Sequence, residues 1–294
     1  MAMQATGASA IAHADTLALM PSPYARMHGA GNRILVVDRR SAMPEPPVRE
    51  QLVRLADDAT GPGFDQLMWL SAPVRSDSVA AYRVFNSDGS EVEQCGNGLR
   101  CVARFLAREA TDGELRFDSP AGSVTARLLD DGGVAVNMGT PIFEPGRIPF
   151  VADAEALKYR LEVGGTDYGV AVLSMGNPHC VLDVDDTRTA PVATLGPLIE
   201  RHARFPERVN AGFRTILNEH EIDLRVYERG AGETLACGTG ACAAVVAGRR
   251  DERLAETVTV NLPGGQLVVS WRGSGAPVWL TGNAELIDEG ILEL

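Results

Sequence analysis

The sequence predicts an α+β fold of two pseudo-symmetric domains. Each is a curled, mostly antiparallel, barrel-like sheet around a central helix, with an active site in the interdomain cleft. Three observations carry this expectation: a motif set that recurs along the chain in one register, many short strand signals with turn punctuation in each half, and one prominent helix candidate per half.

The repeat comes first. Phe85-Asn86-Ser87-Asp88-Gly89 through Cys95-Gly96-Asn97-Gly98 lies over Tyr227-Glu228-Arg229-Gly230-Ala231 through Cys237-Gly238-Thr239-Gly240 at an offset of 142 residues. The two Cys-Gly-x-Gly units coincide, and each precedes an Ala/Val-rich run. Gly31-Asn32 before Ile34–Asp38 matches Gly176-Asn177 before His179–Asp183, and Ser119-Pro120-Ala121-Gly122 matches Leu262-Pro263-Gly264-Gly265, in nearly the same register.

In each half an apolar strand (Ile34–Asp38; Cys180–Val184) leads through further strands to the cysteine turn. Residues 99–110 and 241–249, rich in Ala, Leu and Arg, read as helices. Strands then resume over Gly122–Leu129, Gly133–Asn137, Thr257–Leu262, Gln266–Trp271 and Val278–Leu280. Pro141, Pro145, Gly146 and Pro149 favour turns, so residues 139–174 read as the crossover. The expected organisation is a mobile small-residue leader over 1–23, an N-terminal half over 24–138 completed by 282–294, and a C-terminal half over 139–281.

Composition narrows the function. The chain has 294 residues, a formal net charge of −12 and a pI near 4.9, which disfavours a nucleic-acid or anionic-membrane partner. No apolar run approaches the roughly 20 residues of a membrane-spanning helix. Lys158 is the only lysine and stands in an unremarkable charged context, so Schiff-base chemistry is disfavoured. Cys95, Cys101, Cys180, Cys237 and Cys242 are odd in number, with no Cys-x-x-Cys pair, unlike a secreted disulfide framework or zinc ribbon. The leader carries no Lys or Arg and is not a secretory signal. The expectation is a cytoplasmic protein with free cysteines and with no cofactor or metal.

Cys95 and Cys237 each stand at the N-terminal edge of a helix, before Gly-x-Gly. Helix N-termini offer unpaired N–H groups and partial positive charge, which favour a thiolate and can hold a carboxylate. Glycines let a ligand approach the backbone. Two such thiols facing each other across a cleft are what a racemase needs: one removes the α-proton and the other delivers a proton to the opposite face. Cys101, Cys180 and Cys242 read as core residues.

Met27-His28-Gly29-Ala30-Gly31-Asn32, Asp65-Gln66, Asn86-Ser87-Asp88-Gly89-Ser90, Cys95-Gly96-Asn97-Gly98, Gly176-Asn177-Pro178-His179, Glu228-Arg229-Gly230 and Ala236-Cys237-Gly238-Thr239-Gly240 together resemble the diaminopimelate epimerase family. The resemblance runs from about Arg26 to the C-terminus. It implies a cofactor-independent isomerase that interconverts LL- and meso-2,6-diaminopimelate with two cysteines, in lysine and peptidoglycan precursor biosynthesis. Carried over by motif, Cys95 and Cys237 are the acid/base pair, and His179 and Glu228 modulate them. Gly96-Asn97 and Gly238-Thr239 hold the reacting carboxylate. Asn32, Gln66, Asn86, Asn177 and Asn210 line the cleft, and Glu228 and Arg229 read the distal ammonium and carboxylate. Adjacent strand residues face opposite ways, so the last pair needs a strand end or bulge. The resemblance also implies a homodimer; where family members commonly carry an interface tyrosine, this chain has Asp288. Other readings stand beside this one: a two-thiol racemase of the proline racemase or hydroxyproline epimerase kind, a non-catalytic anion-binding module, and a thiol redox protein.

Overall fold

The computed structural model describes residues 21–41, 45–92, 95–109, 113–120 and 122–293. The first half runs β1 (Pro21–Gly29), β2 (Asn32–Asp38), α1 (Arg49–Ala56), β3 (Gln66–Ser71), β4 (Ala80–Asn86), β5 (Glu91–Val92), α2 (Gly96–Phe105), β6 (Glu114–Ser119), β7 (Gly122–Leu128) and β8 (Val134–Asn137). Then come β9 (Tyr159–Val163), β10 (Thr166–Ser174), β11 (Pro178–Asp183), α3 (Val192–Glu200), β12 (Asn210–Asn218), β13 (Glu221–Glu228), β14 (Gly232–Thr234), α4 (Gly238–Arg250), β15 (Thr257–Leu262), β16 (Gly265–Trp271), β17 (Val278–Gly282) and β18 (Glu285–Glu293).

The duplication is visible strand by strand. β2 and β3 pair in parallel, as do β11 and β12; β4 and β6 pair in parallel, as do β13 and β15. The remaining ladders are antiparallel and also correspond: β3–β4 with β12–β13, β6–β7 with β15–β16, and β7–β8 with β16–β17. The register repeats as well. Ile34 faces Gln66, which faces Asn86; His179 faces Asn210, and Ala211 next along faces Tyr227, the neighbour of Glu228. The two sheets join where β8 pairs with β17, and β18 returns to pair with β1.

Both central helices are buried on nearly all sides, as befits a helix inside a curled sheet. Ala241 through Val246 have no exposed surface, and neither do Arg100, Cys101, Val102 and Ala103. One apolar core contains residues of α2 and α4 together with strands of both halves. Separate clusters lie under α1 and under α3.

Several sequence expectations need correction. Residues 21–23 belong to β1 and pair with Ile291–Glu293, so the proposed leader is too long by at least these three; residues 1–20 lie outside the described residues. The 139–174 crossover contains β9 and β10, which build the second sheet once the proline-rich stretch has ended. The central helices start earlier than expected, at Gly96 and Gly238, because each cysteine is the N-cap and Gly-x-Gly forms the first turn. α2 ends at Phe105, and residue 110 lies outside the described residues. Helices α1 and α3 were not expected. α3 carries Gly196 and Pro197, poor helix formers, yet buries Val192, Leu195 and Ile199 on one face. Gly196 is needed there because a Cβ would lie 2.6 Å from the Tyr227 ring.

Candidate active site

Cys95 and Cys237 hold equivalent posts. Each is an extended N-cap residue, at φ −140°, ψ 104° and φ −123°, ψ 107°, whose sulfur accepts a backbone N–H from the first helical turn. The bonds come from Gly98 at 3.1 Å and Gly240 at 3.4 Å. The two helix starts converge. An ideal Cβ on Gly238 would lie 3.9 Å from Gly96 Cα, and a Cβ on either glycine would lie 2.9 Å from the same Leu280 methyl. Leu280 of β17 thus underlies both N-termini, and each glycine is there because its Cβ would strike that side chain.

The surroundings of the two thiols differ. Cys95 is partly exposed and donates to Gln66 Oε1 from the start of β3. Gln66 Nε2 donates to Asn86 Oδ1 at 3.1 Å, and Asn86 Nδ2 donates to Ser90 Oγ at 3.1 Å. Cys237 is 4% exposed, with Thr239 Oγ1 at 3.6 Å. Asn177 Nδ2 donates to that Thr239 hydroxyl at 3.3 Å, and His179 Nε2 lies 2.9 Å from Asn177 Oδ1. Since an amide oxygen only accepts, the His179 bond requires Nε2–H. Glu228, the last residue of β13, accepts from the Thr234 hydroxyl of β14 and is in hydrogen-bonding reach of the Cys237 thiol.

Electrostatics follow from these neighbours. Burial pushes the Cys95 thiol up to about 11, against the Gly98 N–H and the charge of Arg100, which pull it down; Glu228 adds to the rise. Burial, then Glu228, raise Cys237 well above the ordinary thiol value. The expectation that helix N-termini would leave the thiols acidic is therefore corrected: desolvation of the thiolate outweighs one or two N–H bonds, and both thiols sit above their ordinary value. Burial, assisted by Arg229, lowers His179 to about 3, so it is neutral. The packing around Glu228 raises its carboxyl, opposed by Thr234 and Cys237.

The other expected residues lie on β2, α2 and β12 and just past the end of β13. Asn32 begins β2, beside the turn that carries Gly31. Asn97 is 3% exposed in the first turn of α2, and its Oδ1 accepts from Arg100 Nη2 at 2.9 Å. Asn210 is 2% exposed; its Nδ2 donates to the Pro178 carbonyl at 2.9 Å, and its Oδ1 accepts the Arg229 N–H at 2.9 Å. Asn210 thus ties β11 to the turn after β13 through backbone groups. Arg229 is the first residue past the end of β13, which resolves the adjacent-residue problem. Its exposed guanidinium donates to the Glu207 carbonyl at 3.3 Å. Cys101, Cys180 and Cys242 have no exposed surface, as their reading as core residues requires.

Two residues escaped the sequence reading. Thr234 is an ordinary strand threonine until β14 folds beside Glu228. Arg100 is wholly buried among Leu99, Cys101 and Val102; Arg104 and Arg108 stand in the same run, so nothing local marked Arg100 as the buried one. Among the described residues, no group of three or more His, Cys, Asp or Glu is placed to hold a metal, and no helix is long and apolar enough to cross a membrane.

The family model for diaminopimelate epimerase matches residues 24–144 and 171–287. The chain is 50% identical over 275 residues to the diaminopimelate epimerase of Alkalilimnicola ehrlichii, covering 92% of this chain and 98% of that one. It is 50% identical over 275 residues to that of Pseudomonas entomophila, covering 92% and 99%. Among solved structures, a hydroxyproline epimerase from Agrobacterium vitis shares the fold at a TM-score of 0.65 and 17% identity, over 93% of each chain. A phenazine biosynthesis PhzF-family protein from Enterococcus faecalis does so at 0.65 and 15%, over 94% of this chain and all of that one.

Proposed function

From the premise that this chain belongs to the diaminopimelate epimerase family, we propose that it interconverts LL- and meso-2,6-diaminopimelate with Cys95 and Cys237 as a two-base pair. The single observation that carries the assignment of residues is the convergence of two cysteine-capped helix N-termini, one from each half of a duplicated fold.

One sulfur, as thiolate, takes the α-proton: the Cα–H bond breaks, an S–H bond forms, and the electron pair passes into the adjoining carboxylate. The other thiol gives its proton to the opposite face of the same carbon and becomes the thiolate. Charge and proton count are unchanged, and the centre is inverted. The reverse reaction exchanges the roles. The N–H groups of Gly96-Asn97 and Gly238-Thr239 suit the carboxylate, where two helix N-termini stabilise the enolate-like charge. Glu228 and Arg229 suit the distal ammonium and carboxylate, aided by the amides of Asn32 and Asn177.

Deuterium incorporation at the α-carbon of LL-diaminopimelate in heavy water tests this reading. Wild-type enzyme should exchange the proton and yield the meso isomer. Ligand binding with no exchange would leave only the anion-binding reading. A proline-directed racemase would instead exchange proline or hydroxyproline, substrates with no distal group for Arg229.

The same proposal extends to assembly and compartment. β18 pairs only with β1 among the described residues and shows exposed Leu286, Ile287 and Ile291, which favours a homodimer through this edge. Asp288 itself is taken up by Arg26 of the same chain, so it is the apolar residues that would meet a second copy. Five free thiols suit a reducing cytoplasm.

A further inference from the structure

Arg100 is the most anomalous side chain in the molecule. It has no exposed surface, and among the described residues neither Nε nor Nη1 has a hydrogen-bond partner. Its one bond is from Nη2 to Asn97 Oδ1, at 2.9 Å. Its titratable neighbours are not carboxylates but thiols: Cys101 and Cys95 of its own helix and Cys242 of α4. On the remaining side the backbone of β17 closes over it, since a Cβ on Gly282 would lie 3.1 Å from Arg100 Nε. A buried cation without an anion is costly, and a structural role alone would be met better by an apolar residue.

Its position in the repeat sharpens the anomaly. At the offset that superimposes the two cysteines, Arg100 corresponds to Cys242, so only one half supplies a cation and that cation lies against the residue standing in its place in the other half. Asn97, which it grips, reaches toward the second helix: its Oδ1 would lie 3.8 Å from a Cβ on Gly238.

We propose that Arg100 is a positioning residue for the epimerisation: it holds the oxygen of the Asn97 amide, leaving the amide nitrogen to donate to the substrate carboxylate, and its charge makes Cys95 rather than Cys237 the sulfur that carries the thiolate. The proposal rests on the two-thiol reading above and adds an asymmetry to it. The charged and polar groups around Cys95 are few. Arg100 on α2 and the N–H groups of Gly98 and Asn97 favour its thiolate, Glu228 at the end of β13 opposes it, and Gln66 from β3 is neutral. Among the described residues, the charged group that bears on Cys237 is Glu228, and it opposes a thiolate there.

The test compares wild type, Arg100→Met and Arg100→Lys by iodoacetamide alkylation across pH. Mass spectrometry reads Cys95 and Cys237 peptides separately, alongside kcat/KM for LL-diaminopimelate and the melting temperature. In Arg100→Met the Cys95 alkylation midpoint should rise by about one pH unit or more, about tenfold slower labelling at a fixed pH below it, while the Cys237 profile stays within about twofold. Arg100→Lys keeps the charge but not the fork, so its Cys95 midpoint should stay near wild type while KM rises about tenfold. An unmoved Cys95 profile in a folded Arg100→Met variant overturns the electrostatic role. A wild-type KM in Arg100→Lys overturns the role in orienting Asn97, and does so even if the Met variant fails to fold. The alkylation readout needs no turnover, so absence of α-proton exchange in the wild type would refute the epimerase reading, while the Cys95 profile would still decide the electrostatic role of Arg100.

Discussion

Cys95 and Cys237 cap equivalent helices at equivalent points of a duplicated sheet, yet the atoms around them have diverged. In the first half the thiol meets a run of neutral amides, Gln66 and Asn86, ending on Ser90. In the second, the thiol is more deeply buried and faces a carboxyl, Glu228, with a hydroxyl–amide–imidazole chain on its other side. Duplication supplied two cysteine-capped helix starts that converge, which the two-base proposal makes proton carriers on opposite faces of one carbon. Divergence supplied chemistry that a symmetric site could not: a substrate with one reacting centre needs its distal group read from one side only.

The largest expected effect tests what the halves share. Cys95→Ala and Cys237→Ala should each lose epimerisation by about a thousandfold or more, since one face of the carbon then has no proton carrier. Circular dichroism and melting should show a retained fold. Near-wild-type turnover in either variant would mean that the two posts are not functionally equivalent and that the two-base reading is wrong.

Next comes the carboxyl that only one half possesses. Glu228→Gln should lower kcat/KM by about a hundredfold, through loss of a charged contact to substrate and of the group beside Cys237. Alkylation of Cys237 should become faster, because Glu228 raises that thiol. Stability should move the other way from activity. The Glu228 carboxyl is raised above 4.5 in the folded state, so folding favours its protonated form; that contribution is complete below 4.5 and is lost as pH rises through the folded value. At neutral pH the wild type carries a penalty that Gln lacks. The melting temperature of Glu228→Gln at pH 7 should therefore equal or exceed wild type, with the gap closing toward pH 4.5. A lower melting temperature at pH 7 would assign Glu228 to the framework rather than to the site.

Arg229→Lys should act more narrowly. A point charge cannot replace a planar fork on a carboxylate, so KM should rise about tenfold with kcat little altered. Among the described residues, the exposed Arg229 guanidinium bonds only the Glu207 carbonyl, at 3.3 Å, which leaves it available to substrate. Equal kcat/KM toward lysine, which lacks the distal carboxylate, would remove Arg229 from specificity.

How far the sequence announced this site depends on range. The Cys-Gly-x-Gly turns, the neighbouring Gly-Asn motifs and the strands after each helix were legible because local spacing and glycine placement carry them, and the register of the repeat carried the pseudo-symmetry. α3 was not legible: Gly196 and Pro197 argue locally against a helix, and only the Tyr227 ring and the apolar face of Val192, Leu195 and Ile199 override that local preference. Neither was the acidity of the thiols, because it depends on burial by both halves together. Thr234 and Arg100 gain their roles from contacts that only the closed sheet creates.

The smallest expected effect separates the halves by stability alone. His179 faces Asn210 across β11 and β12 as Ile34 faces Gln66 across β2 and β3, so one half buries an imidazole where the other buries an alkyl chain. The folded protein keeps His179 neutral, with its value lowered from 6.5 to about 3. The unfolded chain therefore takes up a proton that the folded chain refuses, and stability falls as pH drops from 6.5 toward 3, by at most about 1.4 kcal/mol per pH unit from this one site. Urea unfolding at pH 7, 6 and 5 measures the slope. His179→Gln, which retains an amide N–H for the Asn177 oxygen at 2.9 Å, should flatten it while costing little at pH 7. Identical slopes in wild type and variant would show that His179 charges as readily in the folded state as in the unfolded one. The chain from His179 through Asn177 and Thr239 to Cys237 could then not be a fixed neutral support for the second thiol.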